Sequence, residues 1–278
     1  MVWLLNGIFV LALPSALVVE ADEFWAAQAT GQGQPEKQKE RDPINPDRPG
    51  IADGSMVVGK GIFQIELGLQ LENHDPAGGG HVRLLDTPVL FRYGLDSRFE
   101  LRVESVGFNE QWQTGARTAA GYAPVSVGAK FQFQQPSDKN GQVSLGTITR
   151  VFAPSGAGGF QTQHATGDLR LAADWTMAPH WYLNPNLGLG LYEDNGRPFT
   201  ALLGAMTLSR DLNSRTQVFI DSGTQTPESR GGHNGTIVDM GITFLPTNDT
   251  QLDFSVGTGV SGQTTPRPFV GAGYSIRF

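Results

Sequence analysis

Charged side chains recur at every second position of several otherwise apolar stretches. In residues 99–104, two glutamates and one arginine alternate with Phe99, Leu101 and Val103. Because successive side chains of a β-strand point to opposite faces, each such stretch would carry its charges on one face and its apolar groups on the other. The charged residues that we assign to this polar face are Glu66, Glu72, Arg92, Glu100, Arg102, Glu104, Lys130, Arg170, Asp174, Asp221, Asp239, Asp253 and Arg277.

This polar face could do two kinds of chemistry. Direct pairing around the short turn 94–98 would set Arg92 opposite Glu100, and opposite charges so close attract. In one interpretation such pairs satisfy enclosed charges and keep the wall rigid. In the other they form a charged constriction that selects a polar or anionic solute. Both signs occur along the face, so its charges favour neither an anion nor a cation.

Few residues of the sequence are candidates for a catalytic role. The chain has no cysteine, phosphate loop, dinucleotide fingerprint or zinc motif. His74, His81, His164, His180 and His233 fall in or near predicted turns and loops, and none has a convincing inward serine partner. We therefore predict no enzyme, no catalytic residue, no metal and no cofactor. The net charge is −7 and no basic run occurs, which argues against nucleic acid as a partner.

The alternation continues through most of the chain after Gly61. Helical spacing would place the charges among the leucines, so strands are the better interpretation. The hydrophobic content of 39% fits a wall in which only every second strand residue faces lipid. Some segments show clear apolar–polar alternation, and weaker candidate strands lie between them. Together they give about twelve predicted strands: 63–72, 82–93, 99–104, 127–134, 143–152, 169–176, 181–192, 199–209, 215–221, 238–244, 252–256 and 268–278.

The connections between these segments alternate in length. Short turns are predicted at 94–98, 135–141, 178–180, 211–214 and 245–249. Mostly longer polar stretches are predicted at 73–80, 107–120, 153–166, 193–198, 222–235 and 259–267. Short periplasmic turns and longer extracellular loops are typical of outer-membrane barrels. The sequence therefore predicts an all-β, transmembrane, antiparallel up-and-down β-barrel of about twelve strands.

Aromatic residues and the last strand support the same architecture. Phe63, Tyr93, Phe99, Phe133, Trp175, Trp181, Phe244 and Phe278 fall on the apolar face near the predicted periplasmic ends, as an interfacial girdle would. The closing strand ends with Tyr274, Ile276 and Phe278 on that face and resembles the signal read by the barrel assembly machinery. Its pairing with the first strand would bring Arg277 near Glu66 or Glu72.

The N-terminal part of the chain differs in composition. Residues 1–21 contain a broken apolar run that predicts a secretory signal peptide. Residues 22–60 include a long polar stretch that cannot bury enough apolar surface to offset its ordering entropy, so we predict a mobile periplasmic segment. That segment is either a linker or a chain that enters the barrel from below. Residues 61–278 form the predicted barrel.

Two short stretches resemble a known family. Asp47-Arg48-Pro49-Gly50 followed by residues 61–66 is similar to the opening of the outer-membrane transporter family "MetA-pathway of phenol degradation". Residues 91–95 and 98–102 are similar to its second signature hairpin. The resemblance covers residues from about 42 to the C-terminus. It implies a Gram-negative outer-membrane barrel associated with uptake of small, often aromatic or hydrophobic compounds, and it implies no catalytic residues.

We therefore expect a porin-like channel for passive uptake of a small-molecule solute, embedded in outer-membrane lipid of the bacterial cell. Twelve strands lie between the number that side chains fill and the number that leaves an aqueous channel. An alternative is a closed structural or adhesive barrel whose extracellular loops bind partners. An outer-membrane hydrolase and a soluble periplasmic β-fold are the remaining alternatives.

Overall fold

The computed structural model describes residues 41–75 and 80–278, which contain fifteen β-strands in one antiparallel sheet. A short 3-10 turn spans Asp138–Asn140, and no helix in these ranges is long and apolar enough to cross a membrane. The strands are β1 (Phe63–His74), β2 (Val82–Asp86), β3 (Val89–Gly94), β4 (Phe99–Ser105), β5 (Phe108–Gln113), β6 (Ala116–Tyr122), β7 (Ser126–Gln134), β8 (Val143–Phe152), β9 (Thr166–Ala178), β10 (Trp181–Asp194), β11 (Arg197–Asn213), β12 (Thr216–Thr226), β13 (Gly235–Thr247), β14 (Thr250–Ser261) and β15 (Phe269–Arg277).

The sheet closes because β15 pairs with β1, so that Leu67 lies opposite Tyr274. Three pairs of strands are continuations of each other. Both β2 and β3 pair with β1, while β4 pairs with β3 and β5 with β2. Likewise, β6 and β7 pair with β5 and β4. The barrel wall therefore has twelve strands, which confirms the predicted number and architecture.

The two faces of the wall reverse the usual arrangement of a soluble protein. Outward side chains are apolar and exposed, for example Leu69 at 56% and Leu187 at 66%. Inward side chains include Glu66 and Lys130, which are both 0% exposed. A water-soluble fold would bury the leucines and expose the charges. The outer face therefore matches a lipid environment, in which every second residue of a strand meets the hydrocarbon.

The predicted short turns are present, but two predicted loops are corrected. Most of the predicted loop 107–120 belongs to β5 and β6, which form a hairpin around Thr114 and Gly115. The predicted loop 193–198 is a two-residue turn at Asn195 and Gly196, with φ of 51° and 73°. Positive φ at both central residues is the conformation that a tight β-hairpin prefers.

The seam between the first and last strands is closed by its terminal aromatic residues. The Phe63 ring stacks on the rings of Phe91 and Phe278, with centroids 6.2 Å apart in each case. The backbone N–H of Phe278 also donates to the Phe63 carbonyl over 2.9 Å. These contacts fix the position of the C-terminal residue at the periplasmic rim. A role of Tyr274, Ile276 and Phe278 in assembly stays a prediction.

The predicted signal peptide, 1–21, lies outside the described residues. Residues 41–60, the described part of the predicted periplasmic segment, have neither helix nor strand and contact inward-facing side chains of the wall. They therefore lie inside the barrel. The predicted mobility of residues 22–60 stays a prediction.

Candidate functional site

Residues 41–60, here called the plug segment, occupy part of the lumen. At its start, Ile44 N–H donates to the Asn248 carbonyl over 2.7 Å. Just beyond its end, Gly61 N–H donates to the Gly94 carbonyl over 2.8 Å. Both contacts are at the periplasmic end, so the segment enters the lumen and turns back. Between them, it forms hydrogen bonds to at least ten of the twelve wall strands.

Asp47 is the first of two carboxylates through which the plug segment meets basic wall residues. Its two oxygens each accept a hydrogen bond from Lys130 Nζ over 2.9 Å, and Arg102 Nη1 also donates to it. Arg92 Nη1 lies 3.7 Å from the same carboxylate. The N–H group of Asp47 donates to Glu66 on the neighbouring strand β1, 3.0 Å from Oε2. One residue therefore joins several wall strands.

These cations outweigh the burial of Asp47. Burial alone would raise the pKa of this carboxyl group, but Arg92, Lys130 and Arg102 hold the pKa of Asp47 well below its usual range. The carboxylate is therefore ionised at neutral pH. A buried ion pair of this kind contributes only a modest net stability, whereas removing one partner leaves an uncompensated buried charge.

Asp53 is the second carboxylate, and arginines from three strands surround it. Arg150 Nη2 and Arg170 Nη1 donate to Asp53 Oδ2 over 3.0 and 2.9 Å, and Arg102 Nη2 lies 3.5 Å from Oδ1. Burial raises the pKa of Asp53, but Arg150 and Arg170 lower it to about 2 overall. The backbone of Asp53 is held as well, because its N–H and carbonyl both hydrogen-bond the Asn186 amide over 2.9 Å.

Further contacts attach the rest of the plug segment around the lumen. Ser55 N–H donates to Asp174 Oδ2 over 2.6 Å, and the Ser55 hydroxyl lies 2.7 Å from the Ser144 hydroxyl oxygen. Ile51 N–H donates to Asp221 Oδ2 over 2.8 Å. The donors in these contacts are backbone N–H groups or uncharged hydroxyls, and the acceptors include the carboxyl oxygens of Asp174 and Asp221. The plug segment is therefore held both by ion pairs and by hydrogen bonds from uncharged donors.

The predicted charged residues all lie opposite the exposed apolar face. Those that contact the plug segment are Glu66, Arg92, Glu100, Arg102, Lys130, Arg170, Asp174, Asp221, Asp253 and Arg277. Glu72, Glu104 and Asp239 instead line a cavity of about 380 Å³ beside it. The part that these residues play in solute passage stays a prediction.

Two predicted pairings are corrected. The wall register sets Arg92 opposite Arg102, not opposite Glu100, although Arg92 Nε still reaches Glu100 Oε1 diagonally over 2.7 Å. The register sets Arg277 opposite Gln64, two positions from Glu66, and its guanidinium pairs with neither Glu66 nor Glu72. It forms an ion pair with Asp249 over 2.7 Å and donates to the carbonyl of Asp42 in the plug segment.

Several charged residues of the lumen are not among those predicted from the sequence. Arg150 and Asp168 follow the period of two from the inward positions 148 and 170, so alternation alone could have identified them. The sequence distinguishes Asp47 only as part of the stretch 47–50 that resembles the family, and it gives Asp53 no role. No periodic signal marks these two, because the plug segment has no repeating secondary structure.

The charges of the lumen are divided between two sides, which the linear sequence did not reveal. Five basic residues define one side, the basic side, on the adjacent strands β3, β4, β7, β8 and β9, where they alternate with acidic residues such as Glu100 and Asp168: Arg92, Arg102, Lys130, Arg150 and Arg170. The opposite strands β12, β13 and β14 carry Asp221, Asp239 and Asp253 and no arginine or lysine. The plug segment matches this division, because Asp47 and Asp53 meet the basic side and Arg48 meets Asp253 over 3.1 Å.

Two cavities flank the plug segment along the barrel axis. A periplasmic cavity of about 370 Å³ lies beside its residues 43–45 and Met56, with the polar side chains of Asp174 and Ser209 in its lining. An extracellular cavity of about 300 Å³ lies above Ile51 and is lined on one side by Arg170. The plug segment and its wall contacts separate the two.

Two extracellular loops meet above the extracellular cavity. The carboxylate of Glu228, in the loop after β12, accepts hydrogen bonds from Gln263 N–H over 2.6 Å and Thr264 N–H over 3.1 Å. Burial alone would raise the pKa of Glu228, but these N–H groups lower it below its usual value. The carboxylate therefore joins the loops 227–234 and 262–268 in its ionised form.

We expect this junction to weaken in acid. Because the folded-state pKa of Glu228 is depressed, its stabilising effect is present above the unfolded pKa of about 4.3 and is lost as pH falls through the folded pKa. Amide exchange at Gln263 and Thr264, corrected for intrinsic rates, should be slower in the native chain than in Glu228→Gln at neutral pH. The difference should shrink as pH falls below about 4.3 and through the folded pKa, and a difference that is unchanged by pH would contradict this role.

Comparisons with known proteins agree with this architecture. Residues 46–278 match the family model described as "MetA-pathway of phenol degradation". The COG4313 outer membrane channel from Pseudomonas putida F1 is 13% identical, with a TM-score of 0.67 over 84% of this chain and 100% of that one. The KdgM porin, solved in complex with disordered oligogalacturonate, is 10% identical, with a TM-score of 0.49 over 77% of this chain and 99% of that one.

A third similar structure is the translocator domain of the autotransporter NalP from Neisseria meningitidis. It is 13% identical, with a TM-score of 0.48 over 79% of this chain and 89% of that one. No protein with a curated description matches this sequence. At these identities the first of the three solved structures supports the fold, an outer-membrane β-barrel, and the matched family region includes the described plug segment from residue 46 onward.

Proposed function

This chain belongs to the "MetA-pathway of phenol degradation" family, and on that premise we propose that it is an outer-membrane channel for passive uptake of small molecules. The observation that carries the proposal is the pair of cavities on the two sides of the plug segment. Twelve strands enclose more space than their own side chains fill. Here a separate, non-repetitive piece of chain occupies part of that space, so a solute crosses the barrel when this piece shifts.

The attachment of the plug segment supports a barrier that can move. Its contacts to the wall are ion pairs and hydrogen bonds, and none of its residues forms part of the β-sheet. A solute reaches the opposite cavity when the region around Ile51 and Asp53 shifts, since this region separates the two cavities. The wall itself stays closed, because its strands hydrogen-bond all the way round.

The extracellular cavity supports solutes with an apolar part. Its inner surface includes Ile51 from the plug segment with Leu203, Ala205 and Ile237 from the wall. Ligand cavities of a few hundred Å³ that are lined by such side chains hold small molecules whose apolar surface becomes buried. Small aromatic or hydrophobic compounds therefore fit this cavity better than large hydrophilic ones.

A reversible crosslink tests whether the plug segment must move. The chain has no cysteine, so Ser55→Cys with Ser144→Cys introduces one pair of thiols where two hydroxyl oxygens lie 2.7 Å apart. Side chains whose terminal atoms meet in this way point toward each other, as a disulfide requires. We expect solute flux in liposome-swelling assays to fall to background in the oxidised protein and to recover on reduction.

Each single-cysteine variant serves as a control and should conduct equally before and after oxidation. Equal flux in the oxidised and reduced double variant would show that solutes pass beside a fixed plug segment, which contradicts the gating step. No conductance and no flux in any variant, including the native chain, would remove the channel and favour the closed structural or adhesive barrel.

A further inference from the structure

Two of the three arginines around Asp53 retain unused hydrogen-bonding capacity. Within the described part of the chain, Arg102 Nε and Nη2 and Arg170 Nε are buried and donate no hydrogen bond, although Arg102 Nη2 lies 3.5 Å from Asp53 and Arg170 Nε lies 3.3 Å from Asp168. The Arg102 side chain is 1% exposed. Buried donors of this kind are normally paired, because an unpaired donor costs its full desolvation free energy. The cluster Arg102, Arg150 and Arg170 can therefore bind more oxygen acceptors than it does now.

The acceptor now in this cluster is the carboxylate of the plug segment itself. Asp53 Oδ2 accepts hydrogen bonds from Arg150 and Arg170, with 3.0 and 2.9 Å between the heavy atoms. Asp53 belongs to the piece of chain that the proposed function requires to move. When Asp53 leaves, its place between the arginines becomes available to another carboxylate.

We propose that the Arg102, Arg150 and Arg170 cluster is a binding site for the carboxylate of a small organic acid with an apolar body, and that Asp53 occupies it as a built-in competitor. This inference rests on the proposed function, because the solute must enter the lumen to reach the site. Arginine suits the role, since its planar fork of N–H groups matches the geometry of a carboxylate.

The local charges favour a monoanion. Besides Asp53, the three arginines contact four more carboxylates: Arg150 lies 3.2 Å from Glu104 and 3.1 Å from Asp168, and Arg102 contacts Asp47 and Glu100. A monocarboxylate that replaces Asp53 leaves the charge around the arginines unchanged, because one negative charge takes the place of another. A phosphate dianion would instead add a second negative charge beside the carboxylates that already surround the arginines.

The extracellular cavity adds room for the rest of the solute. Arg170 lines this cavity on one side and contacts Asp53 on the other. Ile51 and Leu203 contribute apolar surface to the same cavity. A molecule of the size of benzoate could place its ring against these side chains and its carboxylate toward Arg170. The charged and apolar parts of the cavity therefore select together for an aromatic or similarly apolar monocarboxylate.

The test compares benzoate with benzamide, which have nearly the same size and shape but differ in charge. Calorimetry on the purified, detergent-solubilised full chain measures their binding to Asp53→Asn. We expect benzoate to bind about tenfold more tightly than benzamide, or better, as a charge-assisted hydrogen bond predicts. Adding Arg170→Gln to this variant should abolish the preference.

Glu72→Gln is the matched control, because it removes one carboxylate from the lumen at a position that contacts none of the three arginines. The Glu72 side chain is 14% exposed and forms no ion pair with an arginine or lysine of the described chain. Benzoate binding to Glu72→Gln as tight as to Asp53→Asn would show that the effect depends only on the overall charge of the lumen, and would overturn the proposal. Equal binding of benzoate and benzamide to Asp53→Asn would overturn it as well.

A second measurement does not depend on the folding of Asp53→Asn. In Ser55→Cys, benzoate that competes with Asp53 should displace the plug segment and speed maleimide labelling of the introduced thiol, whereas benzamide should not. Labelling that is insensitive to benzoate, together with no preference in calorimetry, would contradict the site. Absence of flux with intact benzoate binding would instead remove only the proposed channel function.

Discussion

Replacing Asp47 by Asn should release the plug segment from the basic side of the lumen and raise single-channel conductance several-fold. The carboxylate accepts hydrogen bonds from Lys130 and Arg102 and lies 3.7 Å from Arg92. An amide leaves these buried cations uncompensated, and breaking a buried ion pair in this way costs roughly 3–5 kcal/mol. The wall should stay folded, because its twelve strands pair with one another independently of Asp47.

Planar-bilayer recordings of the full chain measure this effect, and a heat-dependent gel shift checks that the barrel is folded. Asp42→Asn is the control, because it removes an equal charge from an exposed position of the same segment. If Asp47→Asn and Asp42→Asn conduct like the native chain, the Asp47 contacts do not hold the plug segment in place.

Replacing Phe278 by Ser should lower the amount of folded barrel in the outer membrane several-fold, with little change in conductance per barrel that does assemble. Phe278 is the last residue, its ring stacks on Phe63, and its N–H group closes the seam between β15 and β1. We propose that Tyr274, Ile276 and Phe278 form the signal that the barrel assembly machinery reads. Loss of the Phe278 ring would then impair recognition by the assembly machinery, a step that precedes closure of the barrel.

Quantitative blotting of outer-membrane fractions measures the level of folded protein. Phe244→Ser provides a matched loss of one exposed aromatic side chain from the outer face, 43% exposed against 58% for Phe278. We expect the Phe278 variant to fall well below the Phe244 variant. Equal membrane levels of the two variants would mean that the terminal position has no special role in assembly.

The wall of this barrel could be predicted from the sequence because contact with lipid requires an apolar residue at every second position of a strand. Residues such as Leu67 and Leu69 must be apolar where they meet hydrocarbon, while Glu66 between them faces the lumen. The hairpin at 108–122 was predicted as a loop for the same reason. Its strands lie at the extracellular end, and the sequence around Gly115 and Thr118 lacks the apolar–polar alternation of lipid-facing strands.

Register and plug contacts could not be predicted. Asp96 Oδ1 accepts hydrogen bonds from the N–H groups of Arg98 and Phe99, which centres the turn on Ser97 and sets Gly94 opposite Glu100. A prediction based on turn length alone centred it one residue earlier. The partners of Asp47 are separated from it by up to 83 positions, so only the closed barrel brings them together.

The shared attachment of the plug segment also limits how this protein can change over time. Arg102 contacts both Asp47 and Asp53, and each of those carboxylates serves cations from more than one strand. A charge reversal at any one wall position would therefore disturb several partners at once, and no single compensating substitution could restore them. Among relatives that keep a plug segment, we expect its acidic residues and the wall arginines to be inherited or replaced as a block.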